Sequence, residues 1–147
     1  MQIDIKKAAA RISGQVLQTP LFYSKYLSAL NKGQVYLKLE SEQYTGSFKA
    51  RGALNKMLGL SSSEKAKGLI TASTGNHAQG FARALEIANT EGTIFLPTNA
   101  EASKVEALKA YKVELKFHGA DALSTELHAM KFAEASGQIW ISPYNDP

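Results

Sequence analysis

The sequence predicts an α/β protein, a three-layer αβα sandwich built on a mainly parallel sheet. Three observations lead to this prediction. From residue 68 onward, short apolar segments typical of buried strands alternate with longer segments of helical periodicity. The connections between them are only a few residues long. Strands that follow each other through a helix in this way must run parallel, with helices packed on both faces of the sheet.

The regular part of the chain contains four predicted strands, rich in apolar, β-branched and aromatic residues, at 68–72, 93–97, 113–117 and 138–141. Four helices are predicted from helical periodicity and capping residues, at 48–60, 76–88, 101–111 and 121–135. The first of these helices has Ser47 as its predicted N-cap.

The N-terminal part is less regular. Residues 4–12 predict a short amphipathic helix opened by Asp4, and residues 24–30 predict a second short helix. Residues 35–40 alternate with period two and predict a strand. A polar loop at 41–46 then leads to the lysine-bearing helix.

Composition excludes several classes of function. The net charge of +4 comes from lysines that are scattered and interleaved with glutamate, so no nucleic-acid partner is predicted. The chain has no cysteine, and its three histidines lack metal-ligand spacing, so no metal site is predicted. No segment has the apolar length of a signal or membrane span, which predicts a cytoplasmic protein without a membrane partner.

A lysine lies at the start of a predicted helix. Residues 45–53 place Lys49 in the first turn, beside Phe48. The positive end of the helix dipole disfavours an ammonium there and favours the neutral amine that Schiff-base chemistry needs. The alternative is an exposed lysine that happens to fall near a helix start.

A loop of small residues connects the strand at 68–72 to the next helix. Ser73, Thr74 and Gly75 offer hydroxyls and an accessible backbone, and Asn76 can donate or accept. Because the loop follows a parallel strand and opens a helix, it suits a carboxylate or a small phosphate. The alternative is an ordinary strand-to-helix turn with Asn76 as the N-cap.

Together, residues 46–53 and 72–80 resemble the threonine dehydratase and serine racemase branch of the fold type II, or tryptophan-synthase-β-like, pyridoxal-phosphate enzymes. The resemblance runs along essentially the whole chain and corresponds to the N-terminal portion of such an enzyme. It is supported by further marks at Thr19-Pro20-Leu21, Lys38, Glu40, Pro97, Lys104 and residues 143–147.

The resemblance implies a role for each motif residue. Lys49 would bind pyridoxal phosphate as a Schiff base and remove the α-proton of the substrate. Phe48 would pack against the cofactor ring, and Asn76 would donate a hydrogen bond to its ring oxygen. The substrate carboxylate would be held by Ser73, Thr74, Gly75 and His77. The implied reaction is the conversion of a small β-hydroxy amino acid into a 2-oxo acid and ammonia.

The resemblance also implies a division into domains and an incomplete active site. Residues 1–53 would belong to a larger domain, 54–141 would form the small α/β domain, and 142–147 would lead to a missing C-terminal part. None of the 11 glycines is adjacent to another, so the glycine-rich loop that binds the cofactor phosphate is expected to be absent. Apolar faces left without partners would cause self-association or homo-oligomer formation.

Alternatives to the lyase remain open at this point. The same motifs fit a serine racemase or a hydroxyaspartate dehydratase, and the chain could instead be a non-catalytic α/β fragment or binding module. The family more often has Ser or Ala at the position of Thr74, a glycine within 110–112, and Phe-Asp in place of Tyr144-Asn145. The first of these departures affects the carboxylate loop, and none affects Lys49.

Overall fold

A computed structural model describes residues 4–145 of the chain. The helices in this range are α1 (Ile5–Arg11), α2 (Lys25–Asn31), α3 (Lys49–Gly59), α4 (Ser62–Lys65), α5 (Asn76–Ala88), α6 (Ala102–Lys109) and α7 (Ala122–Ser136). The strands are β1 (Leu21–Tyr23), β2 (Tyr36–Lys38), β3 (Leu69–Ala72), β4 (Gly92–Leu96), β5 (Glu114–Phe117) and β6 (Ile139–Trp140). A single 3₁₀ turn covers Glu40–Glu42.

Strands β3 to β6 form one parallel sheet in the order β5-β4-β3-β6. Ile70 of β3 lies opposite Thr93 of β4 on one side and Trp140 of β6 on the other. Strands β4 and β5 extend the sheet in one direction, whereas β6 returns to the other side of β3. The order of the strands therefore reverses between β3 and β6.

Alternate residues of the central strands face opposite layers, as the pleat of a strand requires. Leu69 and Ile94 belong to the apolar core that the sheet shares with α3 and α5. Ile70 and Phe95 belong to a smaller core on the other face, together with Ala129 of α7. Helices therefore cover both faces of the sheet, and the predicted three-layer αβα sandwich is confirmed.

Side-chain caps begin several helices. Asp4 caps α1 as predicted, and Asp121, the first residue of the predicted helix 121–135, caps α7. Helix α3 begins differently. Phe48 occupies its N-cap position with helical backbone angles and without a side-chain cap. The N-cap role predicted for Ser47 is therefore wrong by one residue, although the Ser47 hydroxyl still accepts from the backbone N–H of Lys49 at 3.3 Å.

Strands β1 and β2 form an antiparallel pair outside the main sheet. All of their residues are exposed, and Tyr23 packs edge-on against Tyr36 with ring centroids 5.4 Å apart. The sequence predicts β2 but not β1, because three residues following Pro20 are too few to show alternation.

Candidate active site

Two chain segments meet where β3 and β6 end. Strand β3 leads into the loop 73–75 and then into α5, and β6 leads into residues 142–144. The two strands are neighbours in the sheet, although β4 and β5 lie between them in the sequence. Open α/β sheets bind ligands outside the carboxyl ends of their strands, at the point where strand order reverses. The topology alone thus indicates a candidate site here.

A cavity of about 250 Å³ lies at this point. Its wall includes Phe48 and Lys49 from the start of α3, His77 from the first turn of α5, and residues 142–144. Three of the predicted site residues are therefore brought together. The described residues that line this cavity do not include the other four, Ser73, Thr74, Gly75 and Asn76.

The Lys49 amine lies among three electron-rich groups. Its Nζ donates a hydrogen bond to the carbonyl oxygen of Pro143 at 2.5 Å. It also lies 5.6 Å from the ring centroid of Phe48 and 5.8 Å from that of Tyr144. Carbonyl oxygens and aromatic faces attract an ammonium, so these contacts oppose the unfavourable helix dipole. Sequence reasoning missed Pro143, because a backbone carbonyl leaves no signature in a side-chain pattern.

Close packing of α5 against α3 fixes the backbone of Lys49. Gly80 of α5 faces the first turn of α3, and a Cβ added to it would lie 3.0 Å from the Lys49 carbonyl oxygen and 3.1 Å from its carbonyl carbon. The backbone nitrogen of Ala50 would be 3.3 Å away. Only glycine permits this approach without displacing a neighbour. The two motifs recognised in the sequence are thus in direct backbone contact.

His77 is 7% exposed and is hydrogen-bonded to β3. Its Nε2 lies 3.0 Å from the hydroxyl of Thr71, which donates to the carbonyl oxygen of Ile141 at 2.8 Å. Burial, together with the positive charge of Lys49, lowers the pKa of His77 to about 4, although the Ile141 carbonyl opposes the shift. The imidazole is therefore neutral at neutral pH. Sequence reasoning missed Thr71, whose signal is a polar residue in an otherwise apolar strand.

The loop after β3 opens α5 without a side-chain cap. Gly75 occupies the N-cap position, and Asn76 is the first helical residue, so the alternative in which Asn76 caps the helix is wrong. The Ser73 hydroxyl accepts from the backbone N–H of Gly75 at 3.2 Å. Thr74 is half-buried beside it. The first-turn amides of this 13-residue helix thus have no capping side chain, a geometry that suits an anion.

An ion pair ties the first turn of α3 to the N-terminal segments. Arg51 Nε and Nη2 donate to the two carboxylate oxygens of Glu40 at 2.8 and 2.9 Å. The Thr19 hydroxyl donates to the same carboxylate at 2.6 Å, and Arg51 also donates to the Leu17 carbonyl at 3.0 Å. Hydrogen bonding from Arg51 is the main cause that lowers the pKa of Glu40 to about 2. Sequence reasoning used Thr19 and Glu40 only as family marks and did not foresee this network.

A larger cleft of about 900 Å³ lies at the opposite edge of the sheet, where Gly68 and Gly92 mark the amino ends of β3 and β4. None of the predicted site residues lines it, so we place the candidate site at the smaller cavity. Within residues 4–145, no three His, Asp or Glu side chains are grouped to hold a metal ion. None of the helices in this range has the length and apolar character needed to cross a membrane.

Comparison with known proteins gives consistent matches. A family model described as pyridoxal-phosphate dependent enzyme matches residues 12–147. The catabolic L-threonine dehydratase of Staphylococcus aureus strain N315 is 44% identical over 144 residues, which are 97% of this chain and 42% of that protein. Maize serine racemase has a TM-score of 0.87 and 35% identity over 97% of this chain and 43% of its own. The processed form of threonine deaminase isoform 2 from Solanum lycopersicum has a TM-score of 0.84 and 32% identity over 100% of this chain and 43% of its own.

The chain spans less than half the length of the relatives named here. The matched region nevertheless extends from residue 12 to the last residue and contains both motifs around Lys49 and His77. The resemblance to the threonine dehydratase and serine racemase branch is thereby confirmed. The chain belongs to the family of pyridoxal-phosphate-dependent enzymes.

Proposed function

We propose that this chain carries the lysine-bearing part of an ammonia-lyase that acts on a small β-hydroxy amino acid such as threonine or serine. The position of Lys49 carries the proposal. Its amine lies at a cavity wall, between the Phe48 ring and residues 142–144, at the point where strand order reverses. The 44% identity to a protein named L-threonine dehydratase supports the same reaction.

The residues present suit the family's cofactor. Lys49 offers a primary amine. The adjacent Phe48 is 60% exposed, so its ring offers a flat surface for a pyridine ring. Asn76 is exposed at the start of α5 and is proposed to donate to the ring oxygen. When bound, pyridoxal phosphate supplies the electron sink for the carbanion that α-proton removal leaves.

The chain's own residues would position the substrate and move one proton. The deprotonated Nζ of Lys49 would accept the α-proton, and close contact with Gly80 fixes the backbone that carries this side chain. The substrate carboxylate would be held at the start of α5 by Ser73, Thr74, Gly75 and His77. The substrate would lose its α-hydrogen and β-hydroxyl together as one water. The unsaturated amine that remains would take up one water when it hydrolyses to a 2-oxo acid and ammonia, so the atoms balance.

We propose the following arrangement of domains. Residues 1–53 form part of a larger domain, 54–141 form the small α/β domain, and 142–147 lead on to the region that the relatives possess beyond this match, with 146 and 147 outside the described residues. That region would also supply the loop that binds the cofactor phosphate. The boundary at 53 falls within α3, so Lys49 would lie where the two domains meet.

Self-association is proposed for the chain on its own. Large apolar side chains are concentrated on the exposed N-terminal segments, with Leu21 63%, Phe22 55%, Tyr26 73% and Leu30 66% exposed. Exposed apolar side chains concentrated in one part of a chain favour burial against another surface. Light scattering should show dimers or larger species that weaken when Phe22 is replaced by Ser. A concentration-independent monomer would contradict this proposal.

The decisive experiment is a titration with pyridoxal phosphate, followed by visible absorbance. We expect a Schiff-base band that saturates at one equivalent and disappears in Lys49→Ala, whereas Lys109→Ala, on an exposed lysine of α6, retains it. Such a band would require the Lys49 amine to react with the aldehyde of the cofactor, with release of one water. A weak, non-saturating band that is equal in all three proteins would overturn the assignment for this chain and favour a non-catalytic module.

A second candidate function is racemisation of serine, which the 0.87 TM-score to maize serine racemase favours. The two candidates differ in product. A lyase releases a 2-oxo acid and ammonia from L-serine, whereas a racemase releases D-serine. Chiral chromatography alongside a 2-oxo-acid assay separates them, and the same pair of assays on hydroxyaspartate tests the related dehydratase.

A further inference from the structure

A buried hydrogen-bond chain joins three parts of the candidate site. It runs from His77 Nε2, in the first turn of α5, to the hydroxyl of Thr71 in β3, and on to the carbonyl oxygen of Ile141 after β6. Thr71 and Ile141 are 0% and 1% exposed. Two residues beyond Ile141, the Pro143 carbonyl accepts from Lys49. One chain of contacts thus links the predicted carboxylate loop to the segment that touches the lysine.

Counting protons along this chain fixes its direction. A carbonyl oxygen can only accept, so the single hydroxyl hydrogen of Thr71 is donated to Ile141. The Thr71 oxygen is then an acceptor toward His77, and the imidazole must carry its proton on Nε2. A neutral imidazole has one N–H, so its Nδ1 carries a lone pair.

We propose that Thr71 is a positioning residue that fixes His77 as the neutral Nε2–H tautomer. This inference deepens the proposed function and rests on it. With Nδ1 bare and Nε2 committed to Thr71, the imidazole has no proton to donate to a carboxylate. His77 would therefore contribute its backbone N–H to the anion site, while its side chain anchors α5 to β3 and β6. The group that contacts Nδ1 would have to be a hydrogen-bond donor, such as a substrate hydroxyl or ammonium.

The surroundings of His77 favour a neutral imidazole, which agrees with this assignment. Burial and the positive charge of Lys49 lower the pKa of His77 to about 4, so the ring is neutral at pH 7. The positive charge of Lys49 disfavours a second proton on the ring and acts in the same direction as burial. With Nε2–H donated to Thr71, a carboxylate could accept a hydrogen bond only from Nδ1, and that would need a second proton that the ring does not hold at neutral pH.

The test is ¹⁵N spectroscopy of the imidazole rings in the chain labelled at histidine. Only His77, His118 and His128 contribute, and His77→Gln identifies the signals of His77. We expect a protonated Nε2 and a bare Nδ1 for His77 at pH 7. Thr71→Val should reduce the ratio of the Nε2–H to the Nδ1–H form by about three- to tenfold, the equivalent of one hydrogen bond. Thr71→Ser, which retains the hydroxyl, should restore it.

The other two histidines serve as internal controls. Their rings stack on each other with centroids 3.5 Å apart, and His128 packs against Phe95 on the α7 face of the sheet, so neither should respond to a change at Thr71. An Nδ1–H tautomer or an imidazolium at pH 7 in the wild-type chain would overturn the inference, even if Thr71→Val does not fold. An unchanged ratio in a folded Thr71→Val variant would overturn it as well. The measurement needs neither cofactor nor substrate, so its failure is distinguishable from failure of the titration at Lys49.

Discussion

Replacing Gly80 by alanine tests whether contact between α5 and α3 positions Lys49. The new Cβ would lie 3.0 and 3.1 Å from the carbonyl oxygen and carbon of Lys49, whereas ordinary contacts begin near 3.4 Å. Both neighbours are backbone atoms, so they cannot rotate away as a flexible side chain could. The two helices must separate by a few tenths of an ångström.

The expected magnitude follows from two opposing effects. Overpacking of this kind costs about 1–3 kcal/mol. Alanine regains about 0.5–1 kcal/mol over glycine within a helix. Subtracting the second range from the first leaves a loss of about 0–2.5 kcal/mol, so we expect Gly80→Ala to lose about 1 kcal/mol of unfolding free energy. Gly52→Ala is the matched control, because Gly52 lies in α3 with nothing within 4 Å of its added Cβ, and it should gain about 0.5–1 kcal/mol.

Urea unfolding of the three proteins measures this difference, with the midpoint of Gly80→Ala below and that of Gly52→Ala above the wild type. Because the displaced atoms belong to Lys49 itself, the saturating band with pyridoxal phosphate should also weaken in Gly80→Ala. Equal or higher stability of Gly80→Ala would show that the helices separate without cost and would refute the argument that backbone contact holds the lysine.

Three further predictions concern stability. Glu40→Gln should lose about 2 kcal/mol of unfolding free energy at pH 7, because the partly exposed ion pair with Arg51 holds the pKa of the Glu40 carboxyl at about 2 instead of 4.5. The urea midpoints of the wild type and the variant should converge as pH falls from 4.5 to 2, and a constant gap would contradict this prediction. The low pKa of His77, about 4 against 6.5, makes the free energy of unfolding depend on pH, because the unfolded chain binds the proton first as pH falls. About 3 kcal/mol of stability is fully present above pH 6.5 and is lost as pH falls toward 4. His77→Gln should flatten the plot of unfolding free energy against pH in that range. Thr45→Val should leave the free energy of unfolding unchanged or raise it by up to about 1 kcal/mol, because the buried Thr45 hydroxyl has no hydrogen-bond partner within residues 4–145. A loss above about 1 kcal/mol in thermal unfolding would show that the hydroxyl has a partner after all.

The sequence predicts the layered architecture well because the signals are local. Apolar strand segments and capped helices follow from neighbouring residues, and α5 begins and ends at the predicted residues 76 and 88. The elements that it misses, β1 and α4, are three and four residues long. A segment of that length carries too few residues for periodicity, and α4 depends on the capping box of Ser61 and Glu64.

The candidate site is predictable only in part, because several of its contacts involve distant residues or backbone atoms. Lys49 and His77 stand in recognisable motifs, and both line the cavity. Pro143 acts through its carbonyl oxygen, and Thr71 acts through a hydroxyl buried in a strand. The polar Thr71 in an apolar strand signals a need for a partner but does not identify it, and Pro143 gives no such signal, since each contact depends on how β6 returns to the sheet beside β3.

The return of β6 to β3 also determines when the site can form during synthesis. Lys49 and its partner Pro143 are 94 residues apart, and Thr71 and Ile141 are 70 residues apart. A ribosome must therefore translate β4, β5 and three helices before either contact exists. Until then, the edge of β3 that β6 later occupies carries unpaired backbone groups, which are open to pairing with other chains. Pairing by a strand of only two residues thus both closes that edge and completes the surroundings of the lysine.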